Sequence, residues 1–213
     1  MRVEFRLSGS GGQGLLLAGI TLAEAAILEG MNAVQTQSYG PEARGGASKA
    51  EVVVSDDEID YPKAVDPDYF LALTAESYRI YGPDMGASGG RGLIVVDSSV
   101  PLREDITART VSVPILETAA ETIGKRVVAN MVALGVLGGL SKVASAANLE
   151  AAVRNRVPKG TEELNLRALR AGLELARVAS SQRDVRRAEA SDKSEALDDA
   201  RKARRGKDDG RYR

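Results

Sequence analysis

Residues 6–20, RLSGSGGQGLLLAGI, decide how the rest of the chain is read. Gly9, Gly11 and Gly14 fit the pattern G-x-G-x-x-G, and Gly12 adds a fourth glycine. The preceding residues 2–8, RVEFRLS, alternate as a strand does. The following residues 14–29, GLLLAGITLAEAAILE, suit a helix. A glycine turn between strand and helix lets the backbone approach an anion, and the first N–H groups of the helix face it unpaired. The same turn can equally be a tight corner with no ligand. Two tests narrow the choice. A dinucleotide site needs an acid about 20 residues on, at the end of the second strand, to hold the ribose hydroxyls. That position is Val34, within NAVQTQ (32–37), and the next acid is Glu42, beyond Gly40-Pro41. No arginine stands at that strand end to receive a 2′-phosphate. Nor does Gly-Lys-Ser/Thr close the turn, since Leu15 follows Gly14, so nucleotide hydrolysis has no support. Gln13 adds no charge and reads as a tie within the loop.

The pattern extends outward from this turn. Leu15, Leu16, Ala18, Leu22, Ala25, Ala26 and Ile27 cover more than half of the helix, which implies burial against a sheet. Gly30 suits the position just past its end. Strands are expected at 32–37, 49–54, 69–73, 93–96 and 110–114, with a short helix near 75–81. Residues 38–48 form a loop, 55–68 an acidic connection, and 82–92 a glycine-rich one. From 115 the pattern turns helical, over 115–123, 126–140, 145–156, and from Thr161 to about 180. Strands alternating with helices predict a three-layer, Rossmann-like α/β domain over residues 1–180, with a mostly parallel sheet and a helical C-terminal part. Ligands of such sheets bind at the carboxyl ends of the strands, where the glycine turn sits. Residues 127–140 are almost continuously apolar and belong either in the core or at a subunit seam.

Composition removes several chemistries. The chain of 213 residues has no Cys and no His. Disulfides, iron–sulfur ligation, thiolate or imidazole zinc sites, a Cys nucleophile and a Ser-His-Asp triad are therefore excluded. No catalytic residue and no metal ligand is assigned. Residues 181–213 hold 11 Lys/Arg and 8 Asp/Glu, against 18 and 22 in residues 1–180. Such a tail of mixed sign reads as disordered or as a solvated helix, with no nucleic-acid partner implied. The start, MRVEF, is not a signal peptide, and no run reaches the ~18 apolar residues of a membrane span. A soluble, cytoplasmic protein is expected.

A second motif, QTQSYGPEARGGAS (35–48), is more polar than a connector needs. Arg44, next to Gly45 and Gly46, can offer a planar fork to a phosphate or carboxylate. Alternatively, Glu42 and Arg44 form a surface pair worth only about 0–1 kcal/mol. A parallel sheet would set this loop beside the glycine turn. Lys49 is either a phosphate contact or, in the plainer reading, a solvated strand-end lysine.

Taken together, GSGGQGLLLAG and QTQSYGPEARGGASKAEVVVSDDEIDYP closely resemble the gamma subunit of 2-oxoacid:ferredoxin oxidoreductases, most of all its 2-oxoglutarate (KorC-type) branch. The resemblance runs from residue 1 to about 180 and takes in VVANMVALGVLGGL (127–140) and EELNLRALRAGLELA (162–176). It implies a subunit without a redox centre, inactive alone. Thiamine diphosphate, Mg²⁺ and the iron–sulfur clusters would lie on alpha, beta or delta partners, and ferredoxin would accept the electrons. The gamma part would pack on its partners and help bind coenzyme A in the oxidative decarboxylation of a 2-oxoacid to acyl-CoA and CO₂. Carried to this chain, Ser8, Gly9, Ser10, Gly11, Gly12, Gln13 and Gly14 would form the turn that meets CoA, with Arg44, Gly45 and Gly46 as a second contact to CoA or to a partner subunit. Pyruvate and branched-chain 2-oxoacid enzymes use related gamma parts, so the 2-oxoacid stays open here. A free-standing NAD(P)-binding protein and a pure scaffold are the readings from other classes.

Overall fold

The computed structural model describes residues 1–38, 47–86, 92–106 and 108–181. The chain divides into two compact units, Met1–Arg177 and Val178–Arg213. The first holds the glycine turn and all six strands found among the described residues. Apart from Ser181, the tail expected over 181–213 lies outside the described residues.

One six-stranded sheet organises this unit: β1 (Arg2–Ser10), β2 (Asn32–Ser38), β3 (Ala47–Ser55), β4 (Tyr69–Ala72), β5 (Leu93–Asp97) and β6 (Arg109–Val113), in the spatial order β2-β3-β1-β4-β5-β6. The pairings β1–β4, β4–β5 and β5–β6 are parallel. Only β3 is reversed, antiparallel to both β1 and β2. The sheet is mostly parallel, as expected, with this one exception. The helices are α1 (Leu15–Leu28), α2 (Ala75–Tyr81), α3 (Ile115–Glu117), α4 (Ala129–Ser141) and α5 (Ala146–Arg156), followed by α6 over 162–181. α3 runs on as a π-helical turn, Thr118–Thr122, which breaks the single helix expected over 115–123.

Both faces of the sheet are covered, so its strands read as apolar runs rather than alternations. Val52, Val53 and Val54 are all fully buried, as are Ile94, Val95 and Val96. α1 and α4 lie on one face. Gly19 of α1 faces Val52 and Ala50 there, and the Tyr69 hydroxyl donates to Leu140 O at the end of α4. α2 lies on the other face, where Tyr78 and Tyr81 join Phe70, Ala72 and Ile94. α4 buries every residue from Ala129 to Gly138, which favours the core placement of this helix over the seam. Gly135 and Gly172 let α4 and α6 cross at backbone contact, because a Cβ on Gly172 would stand 2.0 Å from Val132 O.

Helix ends follow local chemistry. α2 opens on a capping box between Thr74 and Ser77. α1 closes on Gly30 (φ +85°), whose N–H donates to Ile27 O while that of Met31 donates to Ala26 O. This Schellman arrangement places the glycine where the sequence predicts it. Beyond it, Glu29 accepts from Ser145 N (2.5 Å) and Asn148 Nδ2 (2.8 Å). Those bonds hold its carboxyl below the usual range. Burial pushes the Glu24 carboxyl up, but hydrogen bonds from Arg156 and Asn155 and the Arg156 charge outweigh it and leave it lowered. Both acids tie α1 to the region of α5.

Two charged residues of β1, Glu4 and Arg6, are buried. Glu4 accepts from Val65 N (2.6 Å) and Asp66 N (2.9 Å), so the acidic connection is strapped over the sheet. Arg6 pairs with Glu51 across the strands at 2.9 Å, and both side chains are less than a tenth exposed. Lys49 also reaches Glu51, at 3.0 Å, and lies 5.7 Å from the centre of the Tyr81 ring. Its expected role as a solvated strand-end lysine is therefore corrected. Glu51 sits two residues along the same face and pairs with its ammonium.

Candidate functional site

β1 and β4 are parallel neighbours, but α1 follows β1 on one face and α2 follows β4 on the other. The chain parts at their carboxyl ends, and open α/β sheets bind ligands in such a crevice. The glycine turn occupies the β1 side of it.

The residues assigned to the turn divide into a base and a crest. Ser8 is fully buried, and its hydroxyl donates to Ser48 O at 2.9 Å. Gly9 is buried beneath Gln13, whose Oε1 would lie 2.2 Å from a Cβ there. That oxygen accepts from Ser10 N at 2.7 Å, so Gln13 is the internal tie that its neutrality suggests. Ser10, Gly11 and Gly12 form the exposed crest. Gly12 (φ +84°) and Gly14 (φ +72°) adopt left-handed backbone that side chains disfavour. A Cβ on Gly11 or Gly12 would meet nothing within 4 Å. Packing among the described residues therefore does not account for the bareness of Gly11, whose φ is not positive. α1 begins at Gly14 with no side-chain cap and no acid in its first turn.

Gly14 also meets a residue that the sequence did not single out. Asn130 Nδ2 donates to Gly14 O at 3.1 Å, and a Cβ on Gly14 would lie 2.6 Å from that nitrogen. Asn130 is 5 % exposed and stands in the first turn of α4, another helix with no side-chain cap and no acid at its start. The starts of α1 and α4 are thus bolted side by side. Next to them opens a cleft of about 330 Å³, lined by Gly12, Gln13, Leu116, Arg126, Val127 and Ala129. Asp97, buried at the end of β5, accepts from Leu116 N at 2.8 Å and fixes that wall. The available signal was the polar residue Asn130 in an otherwise apolar helix, four positions after the Lys125-Arg126 pair.

Arg44, Gly45 and Gly46 lie outside the described residues. The strands that carry their loop do not. Ser10 pairs with Ala47, and Ser38 with Lys49, so the loop springs from the strand edge that bears the glycine turn. A β2–β3 hairpin brings it there, not the parallel neighbour the sequence reading assumed. The crest, the uncapped start of α1 and Arg126 together offer N–H donors and one cation to an anion, whereas Ala129 N and Met131 N at the start of α4 already donate to Arg126 O and Asn130 Oδ1.

Residues 4–175 match the pyruvate ferredoxin/flavodoxin oxidoreductase family. The chain is 48% identical over 183 residues to 2-oxoglutarate synthase subunit KorC of Methanothermobacter marburgensis, covering 82% of this chain and 97% of that one. Among solved structures it resembles the gamma subunit of a keto/oxoacid ferredoxin oxidoreductase from Geobacter sulfurreducens, with a TM-score of 0.73 and 43% identity over 84% of this chain and 98% of that one. The fold also recurs in the 2-oxoglutarate:ferredoxin oxidoreductase of Magnetococcus marinus, solved with 2-oxoglutarate, coenzyme A and succinyl-CoA bound. There the TM-score is 0.71 at 23% identity, over 83% of this chain and 31% of that one. Among the described residues, no helix is long and apolar enough to cross a membrane.

Proposed function

The chain belongs to the pyruvate ferredoxin/flavodoxin oxidoreductase family, and from that premise we propose that it is the gamma-type subunit of a 2-oxoglutarate:ferredoxin oxidoreductase. It works in the cytoplasm within a complex of alpha, beta and, in four-subunit forms, delta partners. The complex converts 2-oxoglutarate and CoA to succinyl-CoA and CO₂ and passes two electrons to ferredoxin. Residues 1–180 form the functional domain, and no role is assigned to 181–213. The observation that carries the reading is 48% identity spanning 97% of a KorC subunit.

The chain's own share is to receive CoA and to hold the assembly. Ser10, Gly11, Gly12 and Gln13 meet the coenzyme, with Ser8, Gly9 and Gly14 shaping the turn beneath them. Arg44, Gly45 and Gly46 add the second contact from the neighbouring hairpin. The fit lies in the glycines. Open space above Gly11 and Gly12 admits a phosphate to backbone contact, where any side chain would stand in the way. Thiamine diphosphate, its Mg²⁺ and the iron–sulfur clusters belong to the partner chains. A chain with no Cys and no His fits that division, since it has no thiolate for a cluster.

The test is reconstitution. Co-expressed with alpha and beta partners, the chain should support viologen reduction that requires both 2-oxoglutarate and CoA, and the chain alone should support none. Reduction by the isolated chain, or a complex that prefers pyruvate or a branched-chain 2-oxoacid, refutes the assignment.

A further inference from the structure

We propose that Arg126 is a binding residue for a phosphate group of the coenzyme, sharing a cleft with Gly12 and Gln13 of the glycine turn. The proposal rests on the CoA reading of the crest. Arg126 and Gly12 line the same cleft of about 330 Å³, at the low end of the roughly 300–1,000 Å³ of small-molecule sites. That space suits a diphosphate or phosphoribose, not a whole coenzyme.

Charge is unbalanced there. None of the six lining residues is acidic, and Arg126 has no ion pair among the described residues. Eight of the ten other described arginines, Arg2, Arg6, Arg79, Arg103, Arg154, Arg156, Arg170 and Arg177, each hold a carboxylate. Leu116, Val127 and Ala129 make the remaining walls apolar, so no other side-chain charge in the lining competes with Arg126 for an anion.

The backbone fixes the position of Arg126. It opens a 3-10 turn, Arg126–Val128, that follows Gly124 at φ +78°. Lys125 N donates to Ala119 O at 2.9 Å, and Val128 N to Lys125 O at 3.2 Å. Four residues on, Asn130 holds Gly14 O. The turn bearing the guanidinium is therefore registered against the glycine turn through one side chain. Val127 is 78% exposed beside it, so this rim stands open to solvent in the single chain. A guanidinium there can meet phosphate oxygens as a planar fork.

The experiment uses the reconstituted complex. Arg126→Gln should raise KM for CoA roughly 10- to 100-fold, the range of one charge-assisted hydrogen-bonded contact, while kcat at saturating CoA moves far less. Arg126→Lys should recover part of the loss, and Lys159→Gln, a cation outside the cleft, should change nothing. With dephospho-CoA, a vanished penalty identifies the ribose 3′-phosphate as the partner, and a persistent one the pyrophosphate. Gly12→Asp separates the two levels of the claim. If it raises KM while Arg126→Gln does not, the crest binds CoA and the Arg126 proposal is wrong. If neither raises it, the CoA reading fails and the proposal with it. If Arg126→Gln only weakens assembly and the surviving complex keeps its KM, Arg126 is a subunit contact and the proposal is overturned.

Discussion

Replacing Gly135 with alanine is the most direct trial of the packing described above. A Cβ at this position would lie 2.1 Å from Leu169 O, 2.8 Å from Leu173 N and 2.9 Å from Gly172 Cα. Carbon atoms pack at about 3.5–4.0 Å, so α4 and α6 have to part by roughly 1 Å or more. All three obstacles are backbone, and no rotamer change relieves them. Overpacking of this kind costs about 1–3 kcal/mol, and more when backbone has to move. Alanine returns about 0.8–1.0 kcal/mol of helix propensity. The expected net loss is about 2 kcal/mol. With a urea slope of about 1–3 kcal/mol/M, the unfolding midpoint of the full chain should fall by roughly 1 M. Far-UV circular dichroism follows the transition. Gly19→Ala is the internal comparison, because its new Cβ meets nothing closer than Val52 Cγ2 at 3.4 Å. There the propensity gain stands alone, and the midpoint should hold or rise. If Gly135→Ala behaves like Gly19→Ala, the helices do not touch at backbone level and the reasoning is wrong.

Three further outcomes are expected. Gly12→Asp forces a side chain onto a backbone at φ +84° and sets a carboxylate where an anion is received, so KM for CoA in the complex should rise at least about tenfold, read by steady-state kinetics. Glu51→Gln takes the shared carboxylate from Arg6 and Lys49 and leaves Arg6 only its 3.3 Å ion pair with Asp84, which should cost about 1–3 kcal/mol in thermal or urea unfolding. Arg6→Met and Lys49→Met combined with Glu51→Leu should restore at least half of that loss; failure to do so would show that the three are not held as a buried unit. The Glu29 carboxyl is depressed in the folded chain, so its tether to Ser145 is complete above the unfolded value of about 4.3 and is lost as pH falls through the folded one. The Ser145 amide shift in NMR should titrate with a midpoint below that of an ordinary glutamate, and an unshifted midpoint would mean that the bond is absent.

The sequence made the strands, the helices and the glycine turn legible, because each carries its signal locally. Apolar spacing marks α1, Gly30 marks its end, and residues 93–96 can only be a buried strand. Relations between distant segments were harder to read. The reversal of β3 left no local trace, because KAEVVV is as good a strand in either direction. The alternation of Glu4, Phe5, Arg6 and Leu7 looks like a half-solvated strand, and nothing local says that Val65, Asp66 and Glu51 will cover its charges. The crest of the site was visible as glycines, and Gln13 as its tie. Asn130 and Arg126 were not, since they join the turn only by folding, across 116 residues in the case of Asn130 and Gly14.

That separation bears on the order in which the molecule can assemble. β1 is synthesised before both of its partners, which lie downstream. Its pairing with β3 begins at Ala47, and its parallel partner β4 ends at Ala72. Only the β2–β3 hairpin can close early, and pairings at long range form slowly. Phe5 and Leu7 therefore wait uncovered while the chain emerges, an aggregation hazard of incomplete chains. The brace from Asn130 arrives later still. Glycine turn and cleft are among the last things the chain completes, so a nascent or truncated subunit ending before α4 has the motif in its sequence but no receptor for the coenzyme.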